Sequence, residues 1–341
     1  MSSNQDPEET ISPLRVLLVC HAGVKLGLGH LTRMLALAAA LERDARPEVR
    51  LLIQGDRIER ADLSGFDHSF IDLDADLFDA VTEVCDRFEQ SVVVFDLHPK
   101  LLPSDFADRS AGLRKRHVRL VGVDSLLPVC DSLDLTWIPS LLVGDAEVAG
   151  CDRTVYWGWD SFLISKRLSA EEWAPGAKVL VLTGGSDVAR QHDTLPVLLD
   201  ARLPDGSEIW WVQGPFASAP VLPAEPRLEW VIHQAPAGLD ELIVGSDYAI
   251  TVFGVTLFEL LQYGIPTIVF SPYQDRAFPE LDSVAAAGVA VVADDADDAV
   301  GELVALMADD DRARVYAQKA LDRMSVNGAD RLAGLIQSLS E

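Results

Sequence analysis

Short apolar runs alternate with longer stretches of helical period along nearly the whole chain. In the first half, Arg15–Cys20, Val49–Ile53, Val92–Phe95 and Val118–Val123 predict buried strands, and Leu31–Arg43, Leu77–Phe88 and Ser104–Arg116 predict helices. The pattern restarts in the second half with strands at Val179–Thr183, Glu208–Val212, Leu228–Ile232, Tyr248–Val252, Thr267–Phe270 and Val289–Val292. Its helices are expected at Val188–Asp200, Leu239–Gly245, Thr256–Tyr263, Arg276–Ala287 and Asp297–Ala308. Strands that alternate with helices imply parallel sheets covered on both faces, here two doubly wound, Rossmann-like α/β domains. The stretch from Gly158 to Gly176, with Trp159, Trp173 and Pro175 and little periodicity, predicts the connection. The expected division is a disordered lead-in at 1–13, a first domain at 14–160, a linker at 161–176 and a second domain at 177–326. A C-terminal helix at 327–341 follows.

Composition narrows the partners. The chain has 341 residues, enough for two cores, and its net charge is −26 with only six lysines among 28 basic residues. Nucleic acid is disfavoured because no dense basic patch is offered to phosphates. No apolar run is long enough to cross a membrane, and residues 1–13 lack the basic-then-apolar pattern of a signal peptide. Cys20, Cys85, Cys130 and Cys151 show no close pairing, so four reduced thiols in a cytoplasmic protein are expected.

Ligand loops of doubly wound domains lie at the carboxyl ends of the strands, around one cleft. The first such loop, His21 to His30, ends in Gly27-Leu28-Gly29-His30 with Lys25 beside it. Bare backbone, a helix start and an imidazole together suit a phosphorylated ligand. Thr183-Gly184-Gly185-Ser186-Asp187 occupies the equivalent place in the second domain. Phe253-Gly254-Val255-Thr256 opens a helix on which Glu259 follows one turn later; the pair reads either as a capping box or as a site for phosphate and ribose. Asp96, His98 and Asp124 follow buried first-domain strands and are expected at the cleft rim with His21, and His233 could border a base. Asp72-x-Asp74 and Asp74-x-Asp76 match a metal clip by spacing alone, which chance supplies in a chain with 54 acidic residues. No zinc spacing occurs, and neither metal nor cofactor is expected.

Leu26-Gly27-Leu28-Gly29-His30-Leu31-Thr32-Arg33 with Leu37-Ala38 resembles the IGxGHxxRxxxLA segment of the UDP-sugar hydrolases of pseudaminic acid biosynthesis and their spore-coat polysaccharide relatives. Gly184-Gly185-Ser186-Asp187 is similar to that family's GGSD turn, and Asn327-Gly328-Ala329-Asp330-Arg331 to its closing stretch. Thr256-x-x-Glu259 with Gly264-Ile265-Pro266-Thr267 resembles the nucleotide half shared with the peptidoglycan N-acetylglucosaminyltransferase. The resemblance implies a GT-B fold with a UDP-sugar in the cleft, cleavage at the anomeric carbon and no metal requirement.

Carried over, His30 would be the catalytic group, Gly27 and Gly29 would approach the diphosphate, and Thr256 and Glu259 would hold phosphate and ribose; Lys25, from the residues alone, is expected to add a cation at the phosphate site. Gly184, Gly185, Ser186, His233, Gly254, Val255 and Arg276 complete the expected nucleotide contacts. The chain departs from the family at His21, at the triplet Asp96-Leu97-His98, at Phe253-Gly254-Val255-Thr256 and at Asp275-Arg276, with Gln274 beside them at the rim. The resulting expectation is metal-independent hydrolysis of a UDP-sugar in surface-polysaccharide or nonulosonate-type sugar biosynthesis. Water would be placed by His30, and His98 and Asp275 would assist. A glycosyltransferase using a sugar or lipid-linked acceptor comes second, and a non-catalytic nucleotide-sugar-binding protein third.

Overall fold

The computed structural model describes residues 14–44, 47–144, 148–187, 189–271 and 279–339. The expected lead-in at 1–13 and the stretch holding Gln274, Asp275 and Arg276 lie outside them.

Seven parallel strands form the first sheet: β1 (Arg15–Ala22), β2 (Glu48–Gly55), β3 (Asp67–Ile71), β4 (Val92–Asp96), β5 (Arg119–Val123), β6 (Leu135–Ile138) and β7 (Thr154–Trp157). Their order is β3-β2-β1-β4-β5-β6-β7, so the winding reverses between β1 and β4. Six parallel strands form the second: β8 (Lys178–Leu182), β9 (Glu208–Gln213), β10 (Glu229–Gln234), β11 (Tyr248–Val252), β12 (Thr267–Phe270) and β13 (Val291–Ala293). Here the order is β10-β9-β8-β11-β12-β13, with the reversal between β8 and β11. Ligands of such sheets lie where the winding reverses.

The unbroken apolar runs have a direct cause, because both faces of each sheet are covered. Alternate residues of β1 go to opposite cores. Val16, Leu18 and Cys20 meet α1 (Gly29–Asp44), while Leu17 and Val19 meet α2 (Leu77–Phe88) and α3 (Phe106–Arg114). Each fully buried Leu or Val contributes roughly 1.5–3 kcal/mol. Asp76 caps α2 by accepting the Asp79 N–H at 2.8 Å, and Arg109 binds Asp76 and Asp79 from α3. The acidic DxD spacing around Asp76 therefore includes a helix cap.

The second sheet carries α4 (Gln191–Arg202), α5 (Asp240–Val244), α6 (Val255–Leu261), α7 (Pro279–Ala287), α8 (Ala296–Met307) and α9 (Asp310–Arg323). The chain then recrosses. In α10 (Gly328–Ser338), Ala329, Leu332, Ala333 and Ile336 pack into the same core as β1 and α1. Asn327 caps α10 through the N–H groups of Ala329 and Asp330, and its amide donates to the Ile164 carbonyl at 3.0 Å. Gly328 lies so close to the segment between the sheets that a Cβ there would sit 2.6 Å from the Phe162 carbonyl oxygen.

Among the described strands and α-helices, the sequence pattern did not reveal β3, β6, β7 and α9. The thiol expectation also needs correcting. Cys20 and Cys85 are buried free thiols, but Cys130 and Cys151 form a disulfide across Cα atoms 6.0 Å apart. Folding brings the turn after β5 against the segment entering β7, a proximity that a separation of 21 residues conceals.

Two glycine substitutions should act with opposite sign. Gly328→Ala should destabilise by about 1–3 kcal/mol, since its methyl meets backbone that cannot move aside. Gly112→Ala, within α3 and with nothing within 4 Å of the added Cβ, should stabilise by about 0.5–1 kcal/mol. Urea unfolding of both variants measures the contrast; equal effects would remove the close approach of α10 as a stability determinant.

Candidate functional site

The loop from β1 to α1 leaves the first sheet beside the winding reversal. It folds into a tight turn in which the Gly27 N–H donates to the Gly23 carbonyl at 2.8 Å, with Gly27 at φ +79°. A Cβ at Gly27, Gly29, Gly184, Gly185 or Gly254 would meet nothing within 4 Å. These glycines are not demanded by packing, unlike Gly55, Gly122 and Gly328, where an added Cβ meets atoms 2.1–2.6 Å away. They leave backbone bare.

Register sets the central contact. Cys20 pairs with Asp96, so Asp96 at the end of β4 lies beneath the first turn of α1. His30 Nδ1 is 2.7 Å from Asp96 Oδ1. Arg33, one turn further along α1, donates from Nε to Asp96 Oδ2 at 2.9 Å and from Nη2 to Asp96 Oδ1 at 2.8 Å and Asp124 Oδ2 at 2.7 Å. The Nη2 group has two protons, and the two carboxylates take both. Its 3.0 Å approach to His30 Nδ1 therefore leaves the imidazole to supply the proton shared with Asp96. With a hydrogen on Nδ1 directed to Asp96, Nε2 is the nitrogen available to substrate.

Asp96 was expected at the rim and is instead fully buried. Burial alone would push its carboxyl up, but the charge and hydrogen bonds of Arg33, with those of His30, hold it below the usual carboxylate range. Arg33 is correspondingly locked in its charged form, the two carboxylates outweighing the cost of burial. His30, Asp96 and Asp124 offer ligand atoms within 4.8 Å of one another, a spacing that could hold a cation. The guanidinium already bridges both carboxylates. Asp124 reaches it from a left-handed backbone (φ +65°), its N–H donated to the Trp137 carbonyl at 2.8 Å. The sequence placed Arg33 one turn into the helix, inside the motif around His30, without a role in the site; His-x-x-Arg at helical spacing was the available signal.

His21, also expected at the rim, is fully buried beneath it. Its Nδ1 accepts the His98 N–H at 2.9 Å, and its Nε2 faces Gln54 Oε1 at 3.1 Å. Burial pushes its pKa down to about 4, so it braces the loop as a neutral ring. His98 is half-buried, its ring centroid 6.0 Å from that of His30. Lys25 is exposed on the same loop.

In the second lobe Gly184, at φ +90°, and Gly185 follow β8 with Ser186. Asp187 closes the turn, accepting from the Gln191 and His192 N–H groups at 2.9 Å each and from His192 Nδ1 at 2.6 Å. Helix α6 begins at Val255 after Gly254, which no side chain caps. Thr256 is inside the first turn with its hydroxyl 3.3 Å from that of Thr251, so Thr256 and Glu259 do not form a capping box. Glu259 accepts no hydrogen bond among the described residues. Its carboxyl is pushed up to about 7 by burial and by Asp240, against the lowering charge of Arg60. Arg60 belongs to the first lobe and donates to Thr32 of α1 at 3.0 Å. A pocket of roughly 170 Å³ between the lobes touches Arg33, Ser140, Phe162, Gly254, Val255 and Phe258. His233 is not gathered with these groups. It sits on edge strand β10 against Trp210, its Nε2 buried and without a partner among the described residues.

No family model matches the chain, and no curated protein sequence does. Solved structures do. The glycosyltransferase SnogD from Streptomyces nogalater aligns over 97% of this chain and 100% of its own at 15% identity, with a TM-score of 0.66. A putative UDP-N-acetylglucosamine 2-epimerase from Listeria monocytogenes aligns over 96% of each chain at 14% identity, with a TM-score of 0.63. The spinosyn rhamnosyltransferase SpnG, complexed with thymidine diphosphate, aligns over 96% of this chain and 100% of its own at 16% identity, with a TM-score of 0.60. Likeness at such identities establishes architecture, and the chain has the GT-B fold.

Proposed function

We propose that the protein is a glycosyltransferase that moves a sugar from a nucleoside diphosphate to an acceptor hydroxyl. The fold alone does not carry this, because neighbours of the same architecture are named for different reactions. The carrying observation is the buried His30–Asp96 pair, which fixes the tautomer and leaves Nε2 as a general base. In the proposed step the acceptor hydroxyl gives its proton to His30 Nε2 as its oxygen bonds to the anomeric carbon. The bond from that carbon to the diphosphate oxygen breaks, and the nucleoside diphosphate departs with the electron pair. Asp96 stabilises the imidazolium, and Arg33 keeps Asp96 ionised and in place.

The first lobe takes the acceptor side and the second the nucleotide. The bare backbone at Gly184, Gly185, Gly254 and Val255, with Ser186, Thr256, Lys25, Gly27 and Gly29, would meet the diphosphate, and Glu259 the ribose diol. The glycosyltransferase neighbours support placing transfer first, which reverses the order expected from sequence. With water in the acceptor's place the same pair would hydrolyse the donor, the reading favoured by the motif resemblance around His30. The neighbour complexed with thymidine diphosphate keeps the base open between uracil and thymine.

His30→Ala should lower sugar transfer from a panel of UDP- and TDP-sugars about a hundredfold or more. The melting-temperature rise given by UDP or TDP should stay intact in that variant. Full turnover by it would remove the base from the mechanism. Glu259→Ala should weaken the nucleotide-induced rise itself, and an undiminished rise would take Glu259 out of the nucleotide site.

Glu259 also makes a prediction for the free protein. Its folded pKa of about 7 lies above the ordinary 4.5, so folding is favoured by the neutral form. Its contribution is greatest below about pH 4.5 and is lost as pH rises through 7. Glu259→Gln should therefore be more stable than the parent at pH 8 by about 1–3 kcal/mol, allowing for partial exposure. The difference should shrink toward pH 5 in chemical denaturation; a constant difference would exclude Glu259 as the titrating group.

A further inference from the structure

The two imidazoles at the first-lobe cleft are held in opposite tautomers. His30 directs Nδ1–H to Asp96, so its Nε2 is a bare acceptor. His98 Nδ1 accepts the Lys100 N–H at 3.2 Å, which leaves the ring proton on Nε2. Burial, His30 and Lys100 push the His98 pKa down, so the ring is neutral at physiological pH.

Its position is fixed from three sides. The His98 N–H donates to buried His21, the Leu97 carbonyl accepts from Ser125 Oγ at 2.6 Å, and Asp96 two residues earlier is bound by Arg33. Neither Nε2 atom has a partner among the described residues, and the rings lie 6.0 Å apart at 63°. A proton acceptor and a proton donor thus stand side by side where the acceptor molecule would enter.

Resting on the transfer reading above, we infer that the acceptor presents two neighbouring oxygens: a hydroxyl that gives its proton to His30 Nε2, and an oxygen that accepts from His98 Nε2–H. A single bridging oxygen fits the chemistry less well. The attacking oxygen needs a lone pair for the anomeric carbon, and a second hydrogen bond to it would lower its nucleophilicity. The acceptor class is therefore a vicinal diol or a hydroxyl beside a carbonyl. In the step, His98 keeps its proton, while the attacking hydroxyl loses its own to His30 as the anomeric carbon exchanges diphosphate for the acceptor oxygen.

Long-range proton–nitrogen NMR on protein with ¹⁵N-labelled histidine tests this directly, with catechol and phenol as paired probes. His98 should carry its proton on Nε2 and His30 on Nδ1. Catechol should shift both Nε2 resonances and phenol only that of His30. With the sugar-nucleotide panel, kcat/KM for catechol should exceed that for phenol by about tenfold or more. That ratio should collapse in His98→Phe and survive in part in His98→Gln, which keeps a donor. A proton on His98 Nδ1, no His98 shift with catechol, or an unchanged ratio in His98→Phe overturns the inference. Catechol shifting both rings with no sugar moved to either probe would count against transfer while upholding the two-oxygen site.

Discussion

A fully buried carboxylate is the constraint around which the first lobe is arranged. Asp96 ends β4 where the sheet's winding reverses, with no exposure to water. Charge in such a place costs several kcal/mol unless it is paired and its lone pairs are filled. Arg33 and His30 from one turn of α1 meet that demand, and Arg33 extends to Asp124 from the neighbouring strand end. The same contacts that make the carboxylate tolerable orient the imidazole. Stability and the proposed chemistry therefore share one set of hydrogen bonds, and losing Arg33 would leave the buried Asp96 charge without its counter-ion.

The second lobe solves a different problem. Its loops carry no side chain at Gly184, Gly185 and Gly254, where an added Cβ would meet nothing within 4 Å. In a chain of net charge −26 this matters, because an anionic ligand needs local donors that carboxylates do not offset. Glu259 stands apart, partly buried and without a hydrogen bond among the described residues, its raised pKa opposed by the charge of Arg60 from the opposite lobe. The return of α10 onto the core of α1 and β1 ties the lobes together, so the two loop sets face each other across a segment anchored at both ends.

Much of the fold was legible in the chain. The strands Tyr248–Val252 and Thr267–Phe270 and the helix Leu77–Phe88 match their expected bounds, since two-sided burial writes an unbroken apolar run and a capped amphipathic helix writes a clear period. The elements missed carry weak signals for identifiable reasons. Strand β3 is a polar edge strand, β6 and β7 have four residues each, and α9 buries only Ala313, Ala317 and Ala320. In the site, the glycine loops, His30 and Glu259 were visible as types at telling positions. Arg33 was visible one turn into the same helix, but its carboxylate partners Asp96 and Asp124 lie 63 and 91 residues away, so its role was not.

The sequence by itself determined the two parallel-sheet domains, the loops at their carboxyl ends and the histidine at the start of α1. Local pattern suffices for these, because periodicity and glycine placement act over a few residues. Tertiary structure alone decided that His21 and Asp96 are buried, that Asp96 meets both His30 and Arg33, and that Cys130 bonds Cys151. It also decided that Thr256 does not cap its helix and that His30 and His98 hold opposite tautomers. Each of these depends on register and packing between segments distant in sequence, and a proton's place on an imidazole is settled only by the groups that surround it.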